Sequence, residues 1–335
     1  MGRRGLIGIT SSLIVLTSWA GLALAATPRS ASLATHAVGT GYNAMGIGIA
    51  ALVSRHTPIT VRVQPFAGPP AWLPGMDKGE QDMGILTSAD AVSSYKGIII
   101  YKRPFKNTRI LAVGGTLRLS FFAPKDSPIE TVADLKGKRI PTDFPGIPIV
   151  RLSSTAALAT AGLTYDDITS VPVSDMRASI QAYMEGRLDA GWITVGAPAT
   201  QEINARKGGV KFISVISTPE GAKRMADIYP GSYPSVVKVG FATGIVKDTS
   251  VLTNDIYLVA GKDLSDEAAY EIVKALWEFN QELGAAYRLL KEWQRERMVS
   301  SQAFIPYHPG AIRFFKEKGA WTKEMDALQA QRMSE

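Results

Sequence analysis

The 335-residue chain contains no cysteine. That excludes disulfides, thiolate catalysis and cysteine-bound zinc. It has only three histidines, His36, His56 and His308, with no metal-ligand spacing among them and no H-E-x-x-H frame. There is no G-x-S-x-G elbow, and no nucleophile stands beside a base. The chain therefore reads as a non-enzyme that needs no cofactor and no metal. It also lacks a charge run. The net charge of +7 is spread thinly and falls to +5 if Arg3 and Arg4 are removed. Such a balance weakly favours anionic ligands and gives no case for nucleic acid. After the N-terminus no stretch approaches about 18 apolar residues, so the mature chain is expected to be soluble.

What is present begins with a secretory signal over residues 1–25. Arg3 and Arg4 supply the charged end, Leu6 to Ala20 the apolar stretch, and Ala23-Leu24-Ala25 the cleavage site before Ala26. A retained anchor is the alternative, but the stretch is of marginal length and ends in small residues rather than a basic stop. The paired arginines hint at twin-arginine export without further support nearby. About 310 mature residues exceed one comfortable core and point to two domains.

The chain states one pattern twice. Gly79-Glu80-Gln81-Asp82-Met83-Gly84 and Gly186-Arg187-Leu188-Asp189-Ala190-Gly191 share G-x-x-D-x-G, and Asp189 follows Asp82 by 107 residues. At about that offset Ser32–His36 falls on Arg139–Asp143, and Val61–Val63 on Ile168–Ser170. A period this long is no solenoid repeat. It predicts two similar α/β lobes with a ligand cleft between them.

Strands are expected at 32–37, 60–65, 83–86, 98–101, 110–113, 117–123, 168–173 and 190–193. Helices are expected at 44–55, 89–95 behind a Ser88 cap, 150–161, 176–184 and 196–205. The last hundred residues read as mostly helical, with Ser265 capping a helix that carries Asp266 and Glu267 in its first turn. Alternating strands and helices imply a doubly wound, mostly parallel sheet in each lobe. Lobe 1 is expected to comprise 26–122 and 242–335, and lobe 2 to comprise 123–241, with 237–246 carrying the chain back. Ligands should sit beyond the carboxyl ends of the strands.

Gly39-Thr40-Gly41-Tyr42-Asn43-Ala44 matches a relaxed dinucleotide fingerprint. The acid required at the next strand end is missing, since Val63-Gln64-Pro65-Phe66 stands there. The loop reads instead as a polar-ligand turn, with Thr40, Gly41, Tyr42 and Asn43 at the cleft. Thr194-Val195-Gly196-Ala197-Pro198 is the repeat partner of Thr87-Ser88. Thr194, Gly196, Pro198 and Ser88 are therefore cleft candidates as well, against the plain reading of a strand–helix turn. Trp192 is the better of two stacking candidates, with Trp72 the other. Asp82 and Asp189 precede their strands, far from the cleft, and read as turn or capping residues. His36 ends a strand on the cleft side and stays open as a contact.

Taken in order, several motifs resemble the TAXI group of TRAP-transporter substrate receptors over essentially the whole mature chain. They are Gly39–Tyr42, the Gly79–Gly84 pattern, Asp134-Leu135-Lys136-Gly137-Lys138-Arg139, Ala161–Asp167, Gly196-Ala197-Pro198 and Pro306–Ala311. The resemblance implies a type II periplasmic binding protein fold. It implies an extracytoplasmic receptor, here expected to be monomeric, that closes on a small organic acid or amino acid. The receptor would then dock on a membrane permease driven by an ion gradient, usually sodium.

Two loops depart from the family pattern. Pro141–Pro148 replaces a Gly/Ser-rich anion loop and places Asp143 and Phe144 as candidates. Gly68-Pro69-Pro70 replaces a Gly-Gly-Ser loop and makes Gly68 one. Asp143 would repel a dicarboxylate unless an ammonium or an arginine faces it, so an amino compound or a bulkier, less anionic ligand fits equally. An ABC importer as partner, a sensor adaptor and an enzyme on the same fold stay open as alternatives.

Overall fold

A computed structural model describes residue 2 and residues 30–38, 40–145 and 148–335. The expected signal segment and Gly39 of the first glycine loop lie outside the described residues. Among the described residues no helix is long and apolar enough to cross a membrane.

The first wound unit comprises β1 (Ser30–Thr35), α1 (Gly41–His56), β2 (Thr60–Pro65), α2 (Pro69–Asp77), β3 (Met83–Thr87) and α3 (Ser88–Lys96). The long strand β4 (Thr108–Pro124) leads out of it. The second unit repeats the plan with β5 (Arg139–Asp143), α4 (Pro148–Ala159), β6 (Thr169–Val173), α5 (Met176–Met184), β7 (Gly191–Thr194) and α6 (Pro198–Arg206). Then come β8 (Val210–Phe212), α7 (Pro219–Ile228), β9 (Ser232–Val237) and β10 (Thr249–Gly261). Helices α8 (Asp266–Glu278), α9 (Asn280–Ala286), α10 (Pro309–Glu317) and α11 (Lys323–Ser334) close the chain.

Within each unit the wound strands run parallel. β1 pairs with β2 and β3, and β5 pairs with β6. The registers coincide across the repeat: Ser32 faces Arg62 as Arg139 faces Thr169. β4 and β10 run antiparallel to one another and to their neighbours and serve both units. β10 meets β3 through Ile256–Ala260 and β9 through Thr249–Asn254, while β4 meets β7 and β8 through Leu119–Pro124. Every residue of β10 is buried, the polar Thr253, Asn254 and Asp255 included, as its place between β3, β4 and β9 requires.

The repeated G-x-x-D-x-G motif has one architectural explanation at both sites. Gly79 and Gly186 turn the chain at φ 78° and 75°, conformations that suit glycine. The carboxylates of Asp82 and Asp189 then accept the backbone N–H at the start of the neighbouring strand, from Ser32 at 2.7 Å and from Arg139 at 2.8 Å. Gly84 and Gly191 lie under aromatic rings. A Cβ on either would come within 2.4 Å of Trp72 or of Phe122.

Four expectations change. The α3 cap is Thr87, whose side chain accepts from Asp90 N; Ser88 is the first helical residue. Residues 98–101 form a turn closed by Tyr101 N to Ile98 O at 3.1 Å, because Ile99 adopts φ 63° and breaks any extended run. The segments 110–113 and 117–123 are one strand, β4. Gly114 between them continues it because bare backbone is needed there: a Cβ would lie 2.2 Å from the buried Trp293 ring. The return strand is β10 rather than 237–246. Gly240 and Gly244 hold turns at φ 80° and 88°, which an extended strand cannot include.

Candidate functional site

Between the two units lies a cavity of about 390 Å3. The first unit contributes Gly41, Tyr42 and Met45 at the head of α1, where Thr40 caps the helix by accepting from Asn43 N at 3.2 Å. The second contributes Thr194, Val195 and Gly196 after β7. Thr116, Leu117 and Arg118 of β4 and Ile256 of β10 form the floor. Phe241 and the segment Arg288–Glu292 complete the wall.

The walls are mainly apolar with a few convergent charges, the usual make-up of a small-ligand site. Arg118 Nη1 donates to Glu292 Oε1 at 2.7 Å, and Thr116 Oγ1 donates to Glu292 Oε2 at 2.9 Å. Burial pushes the Glu292 carboxyl up, but Arg118 and Thr116 together pull it below the ordinary glutamate range. The Arg118 guanidinium also stands 5.0 Å over the Phe241 ring. Arg288 and Lys291 add two further cations to the lining. The arrangement can hold a small molecule with an apolar body and negative charge.

Tyr42 is braced from behind. Its ring stacks on His36 at 4.1 Å and 9°. Beyond them Asp90 accepts from Thr87 Oγ1 at 2.8 Å and from Tyr101 Oη at 3.1 Å. Burial raises the Asp90 carboxyl, against the lowering by these hydrogen bonds and by His36. Burial also lowers His36, against Asp90, so the imidazole is neutral at pH 7 and serves as a stacking surface.

The structure brings Gly41, Tyr42, Thr194 and Gly196 together around this cavity, and Pro198 lines a smaller one beside it. The other predicted residues lie elsewhere. Thr40 and the buried Asn43, which donates to Thr35 Oγ1 at 3.1 Å, shape the turn that presents Tyr42. Gly68 caps α2 away from both cavities. Ser88 is fully buried; its hydroxyl donates to Gly231 O at 2.6 Å and accepts from Asp255 N at 3.1 Å. Asp143 is exposed at the end of β5 with φ 71°, and Phe144, at φ 47°, is wholly buried in the second unit's core. Trp192 is 1% exposed and packs edge-on against Phe121 at 4.7 Å, so it fills core rather than lining the cleft. Trp72 is likewise enclosed.

Arg118, Phe241, Arg288 and Glu292 went unidentified in the sequence. For Arg118 a signal existed, because a lone cation inside Leu117-Arg118-Leu119-Ser120-Phe121-Phe122 breaks an otherwise apolar strand. Phe241 sits in a turn, and Arg288 and Glu292 bound a short 3-10 helix; the positions of both segments depend on the tertiary fold.

Residues 33–319 match the NMT1-like family, and the chain belongs to that family. Among solved structures it resembles a TctC solute-binding protein from Polaromonas at 16% identity and a TM-score of 0.53, covering 91% of this chain and 97% of that one. It also resembles XAC2383 from Xanthomonas citri, solved bound to ATP, at 9% identity and a TM-score of 0.50, over 90% and 99% of the two chains. A third similar structure is the periplasmic aliphatic sulphonate-binding protein SsuA from Escherichia coli. There the identity is 15%, the TM-score 0.45, and the coverage 91% and 92%. The first two establish the fold as that of the two-lobed binding proteins.

Proposed function

We propose that this protein is an extracytoplasmic solute receptor, secreted to the periplasm by its N-terminal signal and free of enzymatic activity. It captures a small organic acid or amino-acid-like compound in the cleft and delivers it to a membrane transporter. The observation that carries this reading is the cavity of about 390 Å3 lined from both wound units, with the strands β4 and β10 as its floor. A ligand touching both walls favours the closed arrangement over the open one, and only such differential contact can drive closure. The two lobes hinge on β4 and β10. The lobe boundary expected at 122/123 falls inside β4, and that at 241/242 falls in the turn before β10.

The ordered TAXI-like motifs support a TRAP permease as the partner, while family membership and fold suit an ABC importer at least as well. The same capture step would serve an ABC importer. Uptake into proteoliposomes separates the two, since a TRAP permease responds to an ion gradient and an ABC importer to ATP.

The receptor reading is tested by denaturing the purified protein and identifying released compounds by mass spectrometry. A thermal-shift screen with dicarboxylates, keto acids, amino acids and polyamines accompanies it. A ligand at 100 times its dissociation constant adds about 2.7 kcal/mol to folded stability. A stabilising compound recovered unchanged supports a receptor; its conversion to product would make the protein an enzyme.

A further inference from the structure

Beside the main cavity is a second of about 320 Å3, lined by Gly196, Pro198, Thr200 and Gln201 on one side and Arg288 on the other. Three independent observations converge on it. The N-cap of α6 is Ala197, which offers no side-chain acceptor; Pro198 has no N–H and Thr200 N donates to Ala197 O at 3.0 Å, so in the first turn the Ala199 N–H is the one without a capping side chain. Thr200, in that same turn and 1% exposed, has a buried hydroxyl with no hydrogen-bond partner. Leaving a buried hydroxyl unmatched is costly, and such groups are few in folded proteins. Arg288 lines this cavity and the larger one alike, and among the described residues no carboxylate pairs with it. Arg118 differs, because it is bound to Glu292.

We propose that this second cavity is an oxyanion subsite. A carboxylate, sulfonate or phosphate group would accept hydrogen bonds from the Thr200 hydroxyl and from the Ala199 N–H at the head of α6. The Arg288 guanidinium would face it from across the cleft. The apolar body of the same molecule lies in the larger cavity against Tyr42 and Phe241. Helix N-termini and arginine both suit oxyanions. Glu292, the acidic group nearby, already accepts from Arg118 and Thr116. Since Thr200 and Arg288 belong to opposite walls, the anion ties them together. The subsite rests on the receptor reading and names the chemistry of its ligand.

The test is calorimetric titration of the mature protein with hexanoate, hexane-1-sulfonate, hexyl phosphate and the neutral hexanamide. At least one anion is expected to bind about tenfold or more tightly than hexanamide, and the preferred headgroup identifies the oxyanion. Arg288→Gln should weaken that anion by about tenfold or more. Thr200→Val should weaken it several-fold. Both variants should stay folded, with Thr200→Val keeping or raising the Tm of the free protein because it removes an unmatched buried hydroxyl, and in each the anion should lose more affinity than hexanamide does. Anions that bind no better than hexanamide, anion affinity unchanged in both variants, or no binding by any probe up to about 10 mM would each overturn the subsite. The receptor reading fails by a different result, namely that no compound is released from the denatured protein and none in the wider screen stabilises it.

Discussion

Replacing Gly84 or Gly191 by alanine tests the architectural account of the repeated motif. Both residues lie in strands, outside the left-handed region, so alanine fits their backbones. Each new Cβ would meet an aromatic carbon at 2.4 Å, Trp72 for Gly84 and Phe122 for Gly191, where ordinary contact begins near 3.4 Å. The ring must retreat by about 1 Å, yet Trp72 and Phe122 are both 1% exposed and have nowhere to go. Overpacking of this kind costs about 1–3 kcal/mol. Alanine restricts the unfolded chain and returns roughly 0.4–1 kcal/mol. The net is a loss of up to about 2.6 kcal/mol and centred near 1.3 kcal/mol, or roughly 3–5 °C in Tm at the centre and up to about 10 °C at the extreme, at the 2–4 °C per kcal/mol typical of larger domains. The two losses should be similar and should add in the double variant, since the sites sit in separate units. Gly137→Ala is the control: it has φ 72° with open space around it, so only backbone strain of about 1–2 kcal/mol applies. Thermal denaturation followed by circular dichroism gives all four values. If Gly84→Ala and Gly191→Ala keep the parent Tm but lose ligand, the motif belongs to the binding site and the architectural account is wrong.

Substitutions at three further positions separate the cleft from its frame. Tyr42→Ala should weaken the ligand recovered from the protein by about tenfold or more without unfolding it, whereas Tyr42→Phe, which keeps the stack on His36, should bind nearly as well; titration calorimetry with equal affinities for parent and Ala variant would remove Tyr42 from the site. Ser88→Ala strips a partner from Gly231 O and Asp255 N and should cost about 1–3 kcal/mol in chemical denaturation, with ligand affinity unaltered in the folded fraction; a selective loss of affinity would instead return Ser88 to the ligand. Glu292→Gln should lower Tm at neutral pH, because a carboxyl held below its ordinary value stabilises the fold above the unfolded pKa, near 4.5, and loses that contribution as pH falls through the lowered folded value. The gap between parent and variant should therefore narrow steadily as pH falls below 4.5, and a gap that does not change with pH there would show that the Arg118 pair is not its source.

The fold was legible because its signals are local and occur twice. The G-x-x-D-x-G motif sets a turn, a clamp on the next strand and a flat spot for an aromatic ring, and all three are written in adjacent residues. The spacing of Met45, Ile49, Leu52 and Val53 likewise declared the buried face of α1, and Ser265 declared the start of α8. The site was legible only where it rides on these local signals, as Tyr42 does after the glycine turn and Gly196 after β7. Trp192 shows the limit. Its position one residue into β7 is visible in the sequence, but which face of the strand meets Phe121 depends on the layer packed against it. Ser88 misled for a related reason: it looks like a cap, yet Gly231, distant in sequence, takes its hydroxyl. Phe241 lies in a turn and Arg288 in a 3-10 helix of 5 residues, both too short to carry a readable period.

Under the proposed receptor reading, the division between floor and walls bears on how capture and closure would be coupled. Thr116, Leu117, Arg118 and Ile256 belong to β4 and β10, the strands that both units share, so the floor accompanies either wall. Contacts made there are present whether the walls stand apart or together, and they contribute affinity without favouring one state. Tyr42 and Arg288 stand on one wall, Thr194 and Gly196 on the other. Only a ligand long enough to reach both gains energy on closing. The register shift between Asp255 and Tyr257 lies beside Ile256 in the floor, and the bare backbone of Gly114 and Gly115 passes against Trp293 on the paired strand. Irregular pairing bends more easily than a regular ladder. If the units close as the receptor reading proposes, the hinge and the floor are the same stretch of sheet, and ligand size would decide whether occupancy becomes closure.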